Sequence, residues 1–116
     1  MTELRVVESS EDVTMVALVG RLDLAGTEEV NLRFTAETVT RRRPAIVDLR
    51  EVTFLASLGM RMFVAAARAL QKSGARIVLL SPQPRVRDAL EVAGLLDLLP
   101  IATSETEARQ LVAGVG

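Results

Sequence analysis

The sequence predicts a single α/β domain over residues 1–116, with a mostly parallel five-stranded sheet, an antiparallel strand at the N-terminal edge and about four helices. Short apolar runs alternate with amphipathic segments in the order β-β-α-β-α-β-α-β-α, which favours parallel strands joined by right-handed crossovers. Glycine, proline and short polar clusters separate these segments. Apolar residues make up 49% of the 116 positions, which is enough for one compact core in a chain of this length.

The first two strands are predicted to form a hairpin. Residues 4–7 and 13–19 are apolar runs of strand length, and the polar stretch SSED at residues 9–12 separates them. The second run is almost entirely apolar, which is typical of an interior strand that is covered on both faces. We therefore expect the first strand at the edge and the second inside the sheet.

The first helix is predicted from turn residues before it and basic residues after it. Gly20, Asp23 and Gly26 are typical of a turn, and two glutamates follow, as they do in many first helical turns. The helix would end at the three arginines of residues 41–43, because Pro44 cannot continue it. The side chains expected to point inward are those of Val30, Phe34 and Val39.

The second helix is predicted to follow the third strand. That strand covers residues 45–49, and a short loop, EVTF, leads to a helix over residues 58–73 that closes at Gly74. Helical spacing places Arg61, Arg68 and Lys72 on one stripe, which we expect to face solvent. The opposite, inward side is predicted to carry Phe63, Ala66, Ala67 and Leu70.

Two further strands and two further helices complete the predicted order. The strands are ARIVLL, residues 75–80, and residues 98–102. Ser81 and Pro82 resemble a cap and a first helical position, and residues 104–107 resemble a capping box. The third helix would end at Gly94, and its expected inward side chains are those of Val86, Leu90 and either Val92 or Ala93.

The composition removes the commonest tools of an enzyme. The chain contains no Cys and no His. Both residues are common ligands of zinc, copper and haem. Cys is also the usual thiol nucleophile, and His is the commonest general base. These absences do not exclude an enzyme, and carboxylates remain as possible metal ligands. We expect a protein that is not an enzyme and that holds no cofactor and no metal.

Charge and hydropathy indicate where the protein acts. The net charge of −1 provides no general attraction for nucleic acid. The first residues, MTELRVVESS, do not resemble a signal peptide, and no apolar run approaches the ~20 residues of a membrane helix. We expect a cytoplasmic protein without membrane insertion.

The stretch VTFLASLGM, residues 52–60, places a lone serine between a strand and a helix. Ser57 is interpretable as a helix N-cap, as a nucleophile or as a phosphorylation site. A nucleophile would need an activating base, and neither Asp48 nor Glu51 is tied to Ser57 by spacing. Because ligand sites of parallel sheets lie beyond the carboxyl ends of the strands, Ser57 and Asp23 should share one edge.

Three stretches of the sequence resemble the STAS domain family, in its branch of bacterial anti-sigma factor antagonists. GRLDLA resembles the family's Gly-x-Leu-Asp turn, and IVDLREVTFLASLGMR resembles its Asp-Leu-Ser…Phe-(Ile)-Asp-Ser-x-Gly signature. The third stretch is VLLSPQPRVRDALEVAGL. Their order and spacing fit the family over most of the chain.

The resemblance implies a switch in bacterial transcription. Such proteins bind an anti-sigma factor that is itself a serine kinase, and this binding frees a sigma factor. The kinase phosphorylates the serine that corresponds to Ser57, the phosphorylated form dissociates, and a separate serine phosphatase restores it. Carried over by position, the partner-binding residues are Asp23, Ala56, Ser57, Leu58, Gly59, Met60 and Arg61.

The sequence departs from the family signature at two positions and leaves other roles open. Ala56 stands where the family usually has Asp, and Leu58 stands where a small residue is common. One alternative is a constitutive interaction subunit of a lipid-transport ATPase or of a stress-signalling complex. Another alternative is an enzyme, or a receiver-like domain that is phosphorylated on Asp. A receiver needs a lysine late in the sheet, whereas the only lysine of this sequence, Lys72, lies on a predicted helix.

Overall fold

The sheet has five strands in the computed structural model, which describes residues 1–114: β1 (Glu3–Ser9), β2 (Thr14–Leu22), β3 (Ala45–Leu55), β4 (Ile77–Leu80) and β5 (Ile101–Ala102). They lie side by side in sequence order. β1 is antiparallel to β2, and the other neighbouring pairs are parallel. This confirms the predicted α/β sheet with its antiparallel N-terminal edge strand.

Four helices lie on the two faces of the sheet in the described part of the chain: α1 (Leu24–Thr38), α2 (Ser57–Lys72), α3 (Pro84–Val92) and α4 (Glu105–Val112). α1, α2 and α3 pack together on one face, and α4 packs on the other. β3 supplies both layers, because successive strand residues point to opposite faces. Val47 and Leu49 face the three-helix layer, whereas Ile46 faces α4.

The core between α1 and α2 forms as the sequence predicts. Phe34 and Phe63 are fully buried, and their ring centroids lie 5.7 Å apart in a tilted arrangement. Such aromatic pairs are worth about 0.5–1.5 kcal/mol beyond the area that they bury. The other side chains predicted to point inward from these helices are also buried: Val30, Ala66, Ala67 and Leu70. Val39 is only partly buried and packs against the edge of this core.

Both central strands are longer than predicted. β2 continues through Gly20 to Leu22, and β3 continues through the predicted loop EVTF to Leu55, because the parallel ladder between them persists to the pair Leu22 and Leu55. Gly20 is therefore a strand residue and not part of a turn. It adopts a φ of +108°, and a Cβ there would lie 2.7 Å from the Met1 carbonyl oxygen, so only glycine fits.

The ends of α1 differ from the prediction as well. α1 begins directly after Asp23 and ends at Thr38, so the arginines of residues 41–43 follow the helix and do not belong to its last turn. The chain leaves the helical path at Arg42, whose φ is +56°.

The predicted cap of α3 is wrong. Gln83 is the N-cap, and Pro84 is the proline of the first turn. Ser81 instead joins the ends of two strands, because its amide donates to the Ala102 carbonyl at 2.8 Å and its hydroxyl donates to the Thr103 carbonyl at 3.1 Å.

The end of α3 and the start of β5 also differ from the prediction. Val92 and Ala93 are both exposed, because the chain turns at Gly94 and Leu95 packs against the core instead. The Leu95 amide donates to the Leu90 carbonyl at 3.1 Å, which closes this helix end. Of the strand predicted at residues 98–102, only the last two residues form β5. The preceding segment forms a turn, in which the Leu99 amide donates to the Leu95 carbonyl at 2.8 Å.

The predicted capping box of α4 forms in a modified way. Ser104 accepts a hydrogen bond from the Glu107 amide at 3.1 Å, as expected of an N-cap serine. The Glu107 carboxylate, however, accepts from the Thr103 amide at 2.7 Å, one residue before the position that a standard capping box uses.

Candidate functional site

The candidate site lies where β2 and β3 end side by side. Leu22 and Leu55 are the last paired residues of the two strands, and the Ala56 amide donates to the Leu22 carbonyl at 3.0 Å. α1 and α2 begin immediately after these strands. The expectation that Asp23 and Ser57 share one edge of the sheet is therefore confirmed.

Asp23 is the N-cap of α1. Its Oδ1 accepts a hydrogen bond from the Gly26 amide at 2.8 Å, and its other oxygen lies 3.4 Å from the Arg21 guanidinium. The bond from Gly26, with a smaller contribution from Arg21, holds the pKa of Asp23 below its ordinary value. Asp23 is therefore an ionised cap at neutral pH, which a helix N-terminus favours.

Ser57 is not the N-cap of α2, so this interpretation of the serine is wrong. Ala56 occupies the cap position with extended backbone angles, and no side chain caps the helix. Ser57 is the first helical residue, and it is exposed. Its hydroxyl is therefore not used as the cap, and it is accessible to an incoming protein.

Glycines allow both helices to start close to the strand ends. A Cβ at Gly59 would lie 2.7 Å from the Leu55 side chain and 3.2 Å from the Leu22 carbonyl oxygen. A Cβ at Gly26 would lie 1.9 Å from the Arg21 carbonyl oxygen. At Gly26 the contact is with backbone, so a side chain there requires the backbone to move. At Gly59 the shortest contact is with the flexible end of Leu55, so a side chain there requires that side chain to shift.

The remaining predicted partner-binding residues lie on different sides of the first turns of α2. Leu58 and Arg61 line a groove of about 470 Å³ between α1 and α2. Met60 lies on the other side, in a shallow depression that also includes Leu95. Arg61 borders both surfaces and is exposed.

The α1 wall of this groove contains residues that the sequence reasoning did not select. They are Leu24, Thr27, Glu28 and Asn31. The four-residue spacing of Leu24 and Glu28 places both side chains on one face of α1, which could have indicated this wall. An apolar residue such as Leu24 just after a turn, however, resembles a residue of the hydrophobic core.

Asp48 is held by a neighbour on its own strand. Its carboxylate accepts hydrogen bonds from the Arg50 amide at 3.0 Å and from the Arg50 guanidinium at 2.6 Å. Burial raises the pKa of Asp48, but the bonds from Arg50 outweigh burial and leave this pKa below its ordinary value. Asp48 is therefore an ion-paired structural carboxylate, not a base aimed at Ser57.

Two further observations bear on the chemistry of residues 1–114. Residues 1–114 contain no cluster of three or more acidic, His or Cys side chains that could hold a metal ion. Across the same range, the helices are too short or too polar to cross a bilayer.

Residues 5–108 match the profile of the STAS domain, so the chain belongs to the STAS domain family. The chain is 26% identical over 98 residues to BtrV of Bordetella bronchiseptica, and the match covers 84% of each chain. It is 25% identical over 104 residues to the anti-sigma-B factor antagonist of Listeria monocytogenes, covering 90% of this chain and 91% of that protein.

The fold is that of the Bacillus protein SpoIIAA. The anti-sigma factor antagonist SpoIIAA in its unphosphorylated form is 25% identical, with a TM-score of 0.74, and the match covers 100% of this chain and 99% of SpoIIAA. SpoIIAA in its phosphorylated form matches with a TM-score of 0.67 and 21% identity, over 96% of this chain and 99% of SpoIIAA.

Proposed function

We propose that this protein is an anti-sigma factor antagonist, which binds a kinase-type anti-sigma factor and so releases a sigma factor. The observation that carries the proposal is the exposed Ser57 on the first turn of α2, beside the start of α1, in a chain that matches the STAS domain over residues 5–108. The names of the Listeria relative and of SpoIIAA support the same role. The proposed role requires no catalytic group from this chain.

Phosphorylation of Ser57 is the proposed control. The partner supplies the catalyst, so the only requirement on this chain is an accessible hydroxyl. A phosphate on Ser57 would meet the free amide groups and the positive end of a helix of 16 residues. Arg61 lies four residues further along the helix, a spacing at which side chains are neighbours on one face.

The phosphate would weaken binding by acting directly at the contact. It adds about −1.5 to −2 charges to a surface that otherwise presents a neutral hydroxyl. Burying that charge against a partner surface that is apolar or acidic is unfavourable. The proposed contact residues around Ser57 are Asp23, Ala56, Leu58, Gly59, Met60 and Arg61, and a serine phosphatase would reverse the modification.

The test uses anti-sigma factors of the kinase type that are encoded in the same genome as this protein. Each is purified, mixed with the full chain and examined by calorimetry, and each mixture is then incubated with ATP and examined by intact-mass spectrometry. The proposal predicts binding by one of them and a gain of one phosphate that maps to Ser57 and is absent in Ser57→Ala. Absence of binding to every such factor would refute the role.

A constitutive interaction subunit is the second candidate, and Ala56 is the observation that favours it. The carboxylate that usually precedes the serine in the family is absent, and nothing replaces it as the cap of α2. A subunit of a lipid-transport ATPase or of a stress-signalling complex would need no kinase. Binding of the anti-sigma factor with no phosphate gain would favour a constitutive mode over a phosphorylation switch.

A further inference from the structure

The turn that carries Asp23 is held on one side by Thr2, a residue outside every motif discussed above. The ladder between β1 and β2 reaches the pair Glu3 and Val19. Beyond this pair, the Thr2 hydroxyl donates to the Arg21 carbonyl at 2.7 Å. Thr2 is only 7% exposed, so water has little access to this bond. The Thr2 side chain therefore fastens the start of β1 to the end of β2, two residues before Asp23.

Gly26 packs directly on this hydrogen bond. A Cβ at Gly26 would lie 2.4 Å from the Thr2 Oγ1 and 1.9 Å from the Arg21 carbonyl oxygen. The amide of the same glycine donates to the Asp23 Oδ1 at 2.8 Å. Because these groups are packed in direct succession, a displacement of the Thr2 hydroxyl shifts the amide that holds the Asp23 carboxylate.

The other side of the turn is held by β3, through contacts that do not involve Thr2. The Ala56 amide donates to the Leu22 carbonyl at 3.0 Å. The Arg21 guanidinium carbon lies 4.5 Å from the centroid of the Phe54 ring, which is a cation–π distance. Loss of the Thr2 bond should therefore loosen the Asp23 side of the turn and leave the pairing of β2 with β3 in place.

We propose that Thr2 is a positioning residue for the partner site, because its hydrogen bond to the Arg21 carbonyl fixes the turn that presents Asp23. A turn that is fixed before association avoids the loss of conformational entropy that ordering it on binding would cause. The importance of this turn for a partner rests on the proposed function, in which Asp23 lies in the contact. The effect of Thr2 on the turn itself does not depend on that function.

Three variants separate this role from ordinary stabilisation. Thr2→Val keeps the shape of the side chain but places a methyl group where the hydroxyl donates, and Thr2→Ser keeps the donor. Thr38→Val is the matched control, because the Thr38 hydroxyl is also buried and donates to the Phe34 carbonyl at 2.7 Å, at the far end of α1. Circular dichroism checks that each variant folds, and urea unfolding measures its stability.

The first measurement needs no partner. Hydrogen exchange of the Gly26 amide is followed by NMR in the ¹⁵N-labelled full chain. This amide should exchange roughly two- to tenfold faster in Thr2→Val than in wild type, because the loosened turn exposes it more often. Thr2→Ser should restore the wild-type rate, and Thr38→Val should leave it unchanged. An unchanged rate in Thr2→Val, or an equal increase in Thr38→Val, would overturn the proposal.

The second measurement is a calorimetric titration with the anti-sigma factor that binds the wild-type chain. Thr2→Val should bind it roughly two- to tenfold more weakly, which is the fold-change that corresponds to one ordinary hydrogen bond. Thr2→Ser and Thr38→Val should bind as wild type does. Equal losses in Thr2→Val and Thr38→Val would assign the effect to general stability and would also overturn the proposal.

The two measurements separate this proposal from the proposed function. If an anti-sigma factor binds Thr2→Val as tightly as wild type, the positioning role fails and the proposed function stands. If no anti-sigma factor binds, but the Gly26 amide exchanges faster in Thr2→Val alone, the proposed function fails and Thr2 stands as the residue that fixes the Asp23 turn.

Discussion

Glu8 and Arg109 are 101 residues apart in the sequence, and the Arg109 guanidinium lies 2.7 Å from the Glu8 carboxylate. The pair joins β1 to α4, which packs on the face of the sheet opposite to α1–α3. Arg109 also contacts Glu105 of its own helix at 2.9 Å. One guanidinium therefore ties the edge strand to the last helix.

This pair gives a prediction for the pH dependence of stability. The hydrogen bond from Arg109 holds the pKa of Glu8 below its ordinary 4.5, so the unfolded chain binds more protons in acid than the folded chain does. The contribution is present above pH 4.5 and is lost as pH falls through the folded-state pKa. Thermal unfolding should show wild type slightly more stable than Glu8→Gln at pH 7, with the difference vanishing in acid. A difference that grows in acid would contradict the assignment. The control is Glu11→Gln, because Glu11 is exposed and forms no ion pair within residues 1–114.

The missing cap of α2 predicts that stabilising substitutions exist at Ala56. Ala56→Ser should raise the free energy of unfolding by about 1 kcal/mol, because its hydroxyl accepts an amide of the first turn. Ala56→Gly should change stability by only a few tenths of a kcal/mol relative to Ser. Urea unfolding followed by circular dichroism measures both, since the chain lacks Trp and Tyr. No gain with Ser would mean that the cap geometry of Ala56 is unsuitable.

Ala56 also sets how well the protein tolerates a phosphate on Ser57. In Ala56→Asp, a phosphate would lie beside a carboxylate, and two unit charges ~6 Å apart repel by less than about 1 kcal/mol in water and by more in a half-buried loop. Phosphorylation should therefore lower the melting temperature of Ala56→Asp more than that of wild type at low salt. The measurement compares both sequences with and without phosphate, and equal shifts would rule out this electrostatic account.

The glycines that begin the two helices should differ in their tolerance of a side chain. Gly26→Ala places a Cβ 1.9 Å from the Arg21 carbonyl oxygen and should destabilise by more than the roughly 1–3 kcal/mol typical of overpacking. At Gly59 the closest atom is the flexible end of Leu55, at 2.7 Å, and alanine gains about 1 kcal/mol of helix propensity. Gly59→Ala should therefore be milder, and chemical denaturation would show whether this order is reversed.

Ser57 variants test the switch itself. Ser57→Ala should keep the affinity for the anti-sigma factor and lose control by the kinase. Ser57→Asp should bind at least about tenfold more weakly, although one carboxylate delivers only part of the ~5.5 kcal/mol that moves a population from 1:99 to 99:1. Ser9→Asp, at the opposite end of the sheet, is the control for added charge. Equal affinities of wild type, Ser57→Asp and the phosphorylated protein would exclude a switch at this residue.

The parts of the fold that follow from periodicity were predictable from the sequence. Val30 and Phe34 recur at helical spacing in α1, so their burial followed from the pattern. The same holds for Phe63 and Leu70 in α2. The strand ends were not predictable, because the polar residues Glu51 and Thr53 make EVTF resemble a loop, whereas the ladder to Leu22 and Leu55 continues through it. Tertiary pairing, not local propensity, determines where β3 stops.

The sequence predicted the edge of the sheet at which Ser57 lies, but it did not predict that Ser57 is the first residue of α2 and not its N-cap. A serine before a helix resembles an N-cap, and only the backbone angles show that Ala56 holds that place. The groove was missed for a related reason: Leu24 and Leu58 each resemble core residues, and only the side-by-side start of α1 and α2 leaves them lining an open cleft.

The antiparallel direction of β1 has a practical consequence for experiments on partner binding. Because β1 runs against β2, the chain start lies at the edge where Asp23 and Ser57 begin their helices, with Thr2 bonded to the Arg21 carbonyl at 2.7 Å. Met1 itself is fully exposed, and the native chain has no cysteine. Met1→Cys therefore gives this sequence a single thiol for a fluorescent dye beside the proposed contact, whereas a bulky affinity tag fused there would lie against the same proposed surface.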